Sequence, residues 1–239
     1  IGTSGRYEFK NKGINVFLEA LNRLNRDKNL KKKVLAFVNV PSWVGDPRED
    51  LLERLNSKEI FTTPLTCPLI THWLHNMTHD QVLDMLKYLG MGNNPDDKVK
   101  VIFVPCYLDG FDGIINKHYY DIVLCEDLTV YPSYYEPWGY TPLESVAFKV
   151  PTITTDLAGF GLWANTLKGG KYSEIEDGVK VIHRSDYNYS EVADVIRDTI
   201  VDFSAKSDTE VKKIRKNAAS VAEKALWKHF IRYYYEAYD

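Results

Sequence analysis

The stretch Tyr131–Gly161, YPSYYEPWGYTPLESVAFKVPTITTDLAGFG, decides the fold of this chain. Apolar runs at Leu128–Pro132 and Pro151–Thr155 predict two buried strands, with a polar loop and a short helix between them. This order is a βαβ unit, in which the two strands run parallel. Because ligands of open parallel sheets bind at the carboxyl ends of the strands, we expect a site in the loop after the first strand.

Two glutamates, eight residues apart, are the first candidates for that site. Glu136 precedes a proline in a loop that contains glycine, where it can neither cap a helix nor pair along one. A carboxylate at the ligand edge of a sheet is a candidate functional group. Thr141 is predicted to cap the following helix, and Glu144 either completes a capping box with Thr141 or belongs to the site. The residues leave both roles of Glu144 open.

The rest of the chain repeats the alternation of apolar strands and amphipathic helices. It predicts an α/β fold with a doubly wound, Rossmann-like parallel sheet in residues 1–205, and appended C-terminal helices in residues 206–239. Residues 58–77 are irregular in pattern and receive no element. Further strands are predicted at Ile1–Ser4, Val34–Val40, Val99–Val104 and Val179–His183.

Composition excludes several classes of function. The net charge of −3 gives no attraction to nucleic acid or to anionic membranes, and no apolar run is long enough to span a bilayer. Three cysteines without metal-ligand spacing indicate a reduced, cytoplasmic protein. His72, His75 and His79 lack accompanying carboxylates or cysteines at ligand spacing, so we expect no metal site. The chain begins without methionine and almost inside a strand, so it is expected to be a fragment.

A family resemblance rests on the same central stretch. YPSYYEPWGYTPLES resembles the E-x7-E region of retaining GT-B glycosyltransferases, and it is most similar in wording to the glycogen synthases of the animal and fungal type. GRYEFKNKG at residues 5–13 and MTHDQVLDMLKYLGMGNNPDDKVKVIF at residues 77–103 extend the resemblance over most of the chain. It implies that the chain is the C-terminal, donor-binding domain of a two-domain GT-B enzyme.

The resemblance also implies roles for particular residues. Arg6 and Lys12, which composition alone would leave as solvated loop cations, would contact the diphosphate of the donor. Glu136 would lie beside the transferred glucose and stabilise positive charge at its anomeric carbon. Glu144 would bind the ribose hydroxyls. Tyr119 would stack on uracil, the alternative being that it is one more packed tyrosine.

The loop before the central helix would complete the phosphate site. By the same resemblance, Gly139 and Tyr140 would shape this loop against the phosphates. Backbone amides at the start of the helix, after Thr141, would add donors for the anion. No metal or other cofactor is implied, because these cations and amides would carry the charge of the leaving diphosphate.

The implied function is transfer of glucose from UDP-glucose to the non-reducing end of an α-1,4-glucan. The N-terminal domain of the same enzyme would provide the acceptor site, so we expect the fragment alone to be inactive, with its C-terminal helices packed toward that domain. A homo-oligomer is also implied. Two alternatives remain: a non-catalytic nucleotide-binding module, or a GT-B glycosyltransferase with a different acceptor.

The chain departs from the animal and fungal pattern near its C-terminus. The segment Lys212–Asn217 carries one arginine, where those enzymes have an arginine-rich helix that binds glucose-6-phosphate. Lysine does not reproduce the bidentate fork of arginine, so activation by glucose-6-phosphate is not expected. Since the sequence ends at Asp239, no phosphorylatable tail is expected either. Both departures favour a bacterial relative of the family.

Overall fold

A computed structural model describes residues 1–238. Asp239, the last residue of the predicted C-terminal helical segment, lies outside them. No helix of residues 1–238 combines the length and the apolar character needed to cross a bilayer. In chain order, the elements are β1 (Gly2–Ser4), α1 (Ile14–Arg26), β2 (Val34–Asn39), β3 (Val44–Pro47), α2 (Glu49–Asn56), β4 (His72–Leu74), α3 (Gln81–Tyr88), β5 (Val99–Val104), α4 (Tyr119–Cys125), β6 (Thr129–Val130), α5 (Tyr140–Ala147), β7 (Thr152–Thr155), α6 (Gly159–Thr166), β8 (Val179–Ile182), α7 (Tyr189–Ala205), α8 (Asp208–Lys224) and α9 (Trp227–Tyr238).

Six strands form the main sheet in the order β5-β2-β1-β6-β7-β8, and every neighbouring pair is parallel. The chain winds outward from the centre in both directions, which confirms the predicted doubly wound sheet. The winding changes direction between β1 and β6. That point is the topological switch point, where the loops after two adjacent strands diverge and leave a crevice for a ligand.

Residues 58–77, which have no clear pattern, are organised by a buried arginine. They contain β4, which pairs antiparallel with β3 in a small second sheet. Arg48 is fully buried and donates hydrogen bonds to the backbone carbonyls of Thr66, Cys67 and Ile70. Arg54 and Asn93 hold two further carbonyl groups of this segment, those of Thr63 and Pro68. Because side chains from elsewhere hold this backbone, the segment lacks the periodicity by which a helix or strand is predicted.

The start of α5 differs from the prediction. The helix begins at Tyr140, and its N-cap is Gly139 with a left-handed backbone (φ 109°), a conformation that glycine adopts without steric cost. Thr141 is therefore the second residue of the helix, and its prediction as N-cap is wrong. No side chain of the described residues caps α5. Glu144 consequently takes no part in a capping box.

A capping box marks the start of α8. The Ser207 side chain accepts a hydrogen bond from the Glu210 backbone N–H, and the Glu210 carboxylate accepts one from the Ser207 backbone N–H. The helix α8 packs on α5 and close to Gly178, where a side chain would overlap the backbone of Ala218. Burial of Ala218 with Val146 joins α8 to the apolar cluster beneath β8. How these helices meet an N-terminal domain stays a prediction.

A buried carboxyl group lies at the opposite, amino-terminal edge of the sheet. Glu126 is 4% exposed, and its Oε1 has no hydrogen-bond partner among residues 1–238. Burial raises the pKa of Glu126 to about 7, while the Ile1 ammonium group acts in the opposite direction. The group therefore changes charge near neutral pH rather than near its ordinary value of 4.5.

This raised pKa predicts a loss of stability with rising pH. The unfolded carboxyl loses its proton near its ordinary pKa, and the folded one keeps it until about pH 7. The free energy of unfolding should thus fall by at most about 3 kcal/mol between pH 4.5 and pH 7, and this group should cause no further change above pH 7. Urea unfolding across this range should show the fall in the wild type and a smaller fall in Glu126→Gln. Parallel profiles for both proteins would contradict the assignment.

Candidate functional site

A cavity of about 490 Å³ opens at the carboxyl edge of the sheet, beside the switch point. We call it the switch-point cavity. It is lined by residues at the ends of β1, β2 and β5 and at the starts of α4 and α5. Residues of chemical interest in its wall are Ser4, Arg6, Asn39, Tyr107, Tyr119 and Thr141. The sequence predicted three of these, namely Arg6, Tyr119 and Thr141.

The loops after β1 and β6 meet because the two strands are neighbours. Gly13 at the end of the β1–α1 loop (residues 5–13) approaches Pro132 so closely that a side chain would overlap the Pro132 carbonyl. In the β6–α5 loop (residues 131–139), the Tyr134 N–H donates to the Asn11 carbonyl oxygen at 2.7 Å. Two loops that are far apart in sequence are thus held together as one surface.

At this junction the structure brings together two predicted site residues. The Lys12 ammonium donates to a carboxylate oxygen of Glu136, and both side chains are largely buried, at 16% and 21% exposed. A positive and a negative group therefore share one partly desolvated place at the ligand edge. An ammonium can neutralise phosphate, and a carboxylate can accept from sugar hydroxyls or stabilise positive charge.

Arg6 lies apart from this pair. Its guanidinium is 77% exposed and pairs with Glu8 at 3.0 Å, at the mouth of the switch-point cavity. The pair with Glu8 is worth little energy because both groups remain partly in water. Arg6 can thus turn to an anion in the cavity at low cost.

The floor of the cavity is a cluster of hydroxyl groups. The Tyr119 hydroxyl lies 2.6 Å from Ser4 Oγ and 3.4 Å from the Tyr131 hydroxyl. Burial raises the pKa of Tyr119 and of Tyr131, so both stay neutral hydrogen-bonding groups. The hydroxyl of Tyr119 is anchored inward, and its ring is left as part of the cavity wall. This placement is compatible with the predicted stacking on a base.

Glu144 lies one turn along α5 from Thr141. Its Oε1 accepts a hydrogen bond from the Tyr120 hydroxyl at 3.0 Å, and this bond raises the pKa of Tyr120. The carboxylate is therefore oriented by a neighbour on α4 rather than by its own helix end. The contact of Glu144 with the ribose hydroxyls stays a prediction.

Tyr140 faces a different surface. It is 71% exposed and lines a second, aromatic groove of about 530 Å³, together with Trp138, Trp163 and α9 residues such as Trp227. The groove begins on the α5 side of the loop that carries Glu136. The structure places Gly139 at the helix N-cap and gives Tyr140 no place in the lining of the switch-point cavity.

The three histidines are separated, but one of them joins a potential ligand set that spacing did not indicate. Ligand atoms of His72, Cys106 and Asp112 lie within 4.8 Å of one another. Both His72 ring nitrogens are already hydrogen-bonded, to Thr71 Oγ1 at 2.9 Å and to the Asp112 carbonyl oxygen at 2.7 Å. Burial raises the pKa of Cys106 to about 12, which keeps the thiol protonated. The cluster is therefore best explained as a hydrogen-bonded anchor for the loop after β5.

Several cavity residues were missed by sequence reasoning. Ser4 and Asn39 are the last residues of β1 and β2, and Tyr107 follows β5. Their positions at the carboxyl ends of predicted strands were the available signal. A polar residue closing an apolar strand, as Asn39 does, marks the ligand edge of a parallel sheet.

Comparison with solved structures defines the class of the fold. WaaG, a glycosyltransferase involved in lipopolysaccharide biosynthesis, superimposes on 93% of this chain and 42% of its own, with a TM-score of 0.50 and 17% identity. The sheet order, the crevice at the switch point and this likeness show that the chain has the fold of a GT-B domain. Because the identity is only 17%, this likeness is evidence for the fold alone.

The family follows from sequence comparison. The chain belongs to the glycogen synthase family, whose model matches residues 51–239. It is 27% identical to glycogen [starch] synthase of Neurospora crassa over 98% of this chain, and 28% identical to that of Caenorhabditis elegans over 97%. The human liver glycogen [starch] synthase is 30% identical over 66% of the chain. The predicted family resemblance is confirmed.

The length and the origin of these relatives limit what the comparison shows about this chain. The chain spans about two fifths of the length of the fungal and worm enzymes, at 40% and 42%. They come from fungi, a worm and human, so the bacterial origin expected from the C-terminal segment has no support among them.

Proposed function

We propose that this chain is the donor-binding domain of a retaining glycogen synthase, which transfers glucose from UDP-glucose to the non-reducing end of an α-1,4-glucan. The observation that carries the proposal is the pair of Lys12 and Glu136 where the β1–α1 and β6–α5 loops meet. In glycosyl transfer from a nucleoside diphosphate sugar, a cation stabilises the leaving diphosphate, and a carboxylate can stabilise positive charge at the sugar. The pair offers both groups at the ligand edge of the sheet.

The diphosphate would lie between Arg6, Lys12 and the amides of the first turn of α5. Negative charge grows on the bridging oxygen as the glycosidic bond breaks, and these donors would stabilise it without a metal or other cofactor. Displacement of the Lys12 ammonium toward phosphate would leave Glu136 to accept from glucose hydroxyls and to stabilise the oxocarbenium-like anomeric carbon. Glu144 would hold the ribose hydroxyls, and the Tyr119 ring would stack on uracil.

The partners of the domain are proposed from its share of the longer relatives. The α-glucan acceptor site would come from an N-terminal domain of the same enzyme, so residues 1–239 alone would bind donor but transfer little. Radiolabelled glucose transfer to glycogen should therefore be near background for this chain. A homo-oligomer and a cytoplasmic location complete the proposal, the latter supported by three free cysteines among the described residues.

Calorimetric titration with UDP, ADP and uridine tests the donor site. We expect UDP to bind more tightly than uridine, because the diphosphate adds contacts to Lys12 and Arg6. Lys12→Ala and Glu144→Gln should each weaken UDP binding about tenfold or more, the loss expected for one charge-assisted hydrogen bond. Lys12→Ala should leave uridine affinity unchanged, whereas Glu144→Gln should weaken uridine as well.

The matched control is Lys31→Ala, which removes an exposed lysine before the amino end of β2, at the opposite edge of the sheet. It should bind UDP like the wild type. An equal loss of UDP affinity in Lys31→Ala and Lys12→Ala would mean that the effect comes from net charge and not from a contact made by Lys12. Absence of UDP binding by the wild type would reject the proposed donor site, and preference for ADP would change the donor.

A further inference from the structure

The backbone of Glu136 is held by the β7–α6 turn (residues 156–158). The Glu136 N–H donates to the Leu157 carbonyl oxygen at 3.2 Å, and the Glu136 carbonyl oxygen accepts from the Gly159 N–H at 3.1 Å. Glu136 thus pairs with Ala158 like a residue of a short parallel strand. The position of this turn therefore decides where the side chain of Glu136 begins.

One buried hydroxyl group connects this turn to the β6–α5 loop. Thr155, the last residue of β7, is 0% exposed, and its Oγ1 donates to the Ser133 carbonyl oxygen at 2.7 Å. The same Oγ1 accepts from the Leu157 N–H at 3.3 Å. Thr155 therefore bonds to the loop that carries Glu136 and also to the residue whose carbonyl group holds the Glu136 amide.

A matched residue precedes Thr155 on the same strand. Thr154 is 1% exposed, but its Oγ1 has no hydrogen-bond partner among residues 1–238. Successive side chains of a strand point to opposite faces of the sheet, so the two hydroxyl groups lie in different surroundings. β-branched residues suit a strand with or without a hydroxyl group. Thr155 is thus distinguished by its contacts and not by its residue type.

We propose that Thr155 is a positioning residue for Glu136. The inference rests on the proposed function and deepens it, by naming the group that sets the place of the carboxylate. The Lys12 ammonium also holds this carboxylate. When the donor diphosphate draws Lys12 away, the backbone contacts of the loop decide whether Glu136 reaches the glucose hydroxyls. A misplacement of about 1 Å is large enough to impair a contact of this kind.

Titration calorimetry with UDP-glucose and with UDP tests this role, because only UDP-glucose carries the sugar that Glu136 would contact. The measured quantity is the ratio of the UDP-glucose affinity to the UDP affinity. Glu136→Ala should lower this ratio about tenfold, the loss expected for a charge-assisted hydrogen bond. Thr155→Val, which keeps the shape but removes the hydroxyl group, should lower it about fivefold. Thr155→Ser keeps the hydroxyl group and should leave the ratio close to that of the wild type.

The ratio separates positioning from folding. A variant that only folds less well loses the same fraction of binding sites for both ligands, so its ratio stays that of the wild type. Thr154→Val is the matched control, because it makes the same substitution at a hydroxyl group that has no partner within residues 1–238. It should keep the ratio and have an equal or higher midpoint of thermal unfolding. An equal fall of the ratio in Thr154→Val and Thr155→Val would overturn the inference.

The two proposals fail in different ways. If Glu136→Ala lowers the ratio and Thr155→Val does not, positioning by Thr155 is rejected and the donor site stands. If neither UDP nor UDP-glucose binds the wild type, the donor site itself is rejected and this inference falls with it. If both ligands bind and Glu136→Ala leaves the ratio unchanged, Glu136 does not contact glucose, and the positioning role is rejected together with that contact.

Discussion

Replacing Arg48 by methionine should lower the free energy of unfolding by about 4 kcal/mol, one of the two largest effects expected in this chain. The guanidinium is fully buried and donates to the carbonyls of Thr66, at 2.7 Å, of Cys67 and of Ile70, at 3.3 Å. Methionine fills a similar volume but donates nothing. Three backbone acceptors would then lose their donor, and the buried carbonyl of Ile70 costs about 1–3 kcal/mol because it cannot reach water.

Two control variants separate the contributions of Arg48. Arg48→Lys keeps the charge but loses the planar fork and the stacking on Trp73, where the guanidinium lies 4.6 Å from the ring centroid, so an intermediate loss is expected. Asp50→Asn removes a bidentate partner that is 43% exposed, and should cost less than about 1 kcal/mol. Urea unfolding of the three variants measures the order. A loss below that of Asp50→Asn for Arg48→Met would contradict the role assigned to the buried guanidinium.

Gly13→Ala should lower the free energy of unfolding by about 3 kcal/mol and should weaken UDP binding. Gly13 has φ 68°, and a Cβ atom there would overlap the Pro132 carbonyl oxygen and lie 2.6 Å from its carbon. The β1–α1 and β6–α5 loops would have to separate to accommodate it. Because Lys12 and Glu136 sit on these two loops, the same movement would part the ion pair and widen the proposed donor site.

The chain contains a matched control for this glycine. Gly90 has φ 71°, almost the same backbone conformation, but a Cβ atom there would meet nothing within 4 Å. Gly90→Ala should therefore show the cost of the left-handed conformation alone, about 1 kcal/mol. The difference between the two variants measures the close approach of the loops. Equal unfolding energies and equal UDP affinities would mean that the approach at Pro132 is not needed by the fold or the site.

The candidate site is assembled by neighbouring strands rather than by neighbouring residues. β1 and β6 lie side by side, so the loops that follow them meet at the switch point. Gly13 fixes how closely they meet, and Lys12 and Glu136 form an ion pair at the junction. Asn39 lines the same edge of the sheet from the next strand, β2.

Much of the fold was readable from the chain. Runs rich in apolar residues predicted the six strands of the sheet, because parallel strands covered on both faces bury most of their side chains. The pattern from Tyr131 to Gly161 predicted the central βαβ unit, and its wording predicted the family. Glu136 was predicted as a site residue because a carboxylate in a loop before proline can neither cap a helix nor pair along one, and its role stays a prediction.

Only the tertiary structure decided the contacts between residues that are far apart in sequence. Periodicity reports which face of an element is buried, but not which distant side chain meets it. The pairing of Lys12 with Glu136 spans 124 residues, and the cluster of His72, Cys106 and Asp112 also crosses between elements. The helix start at Gly139 was missed for a local reason, since a left-handed glycine can replace a side-chain cap. The sequence by itself thus determined the strands, the edge of the sheet that carries the proposed site, and the family. The order of the strands, set by packing, decided which of its charged and polar groups share that edge.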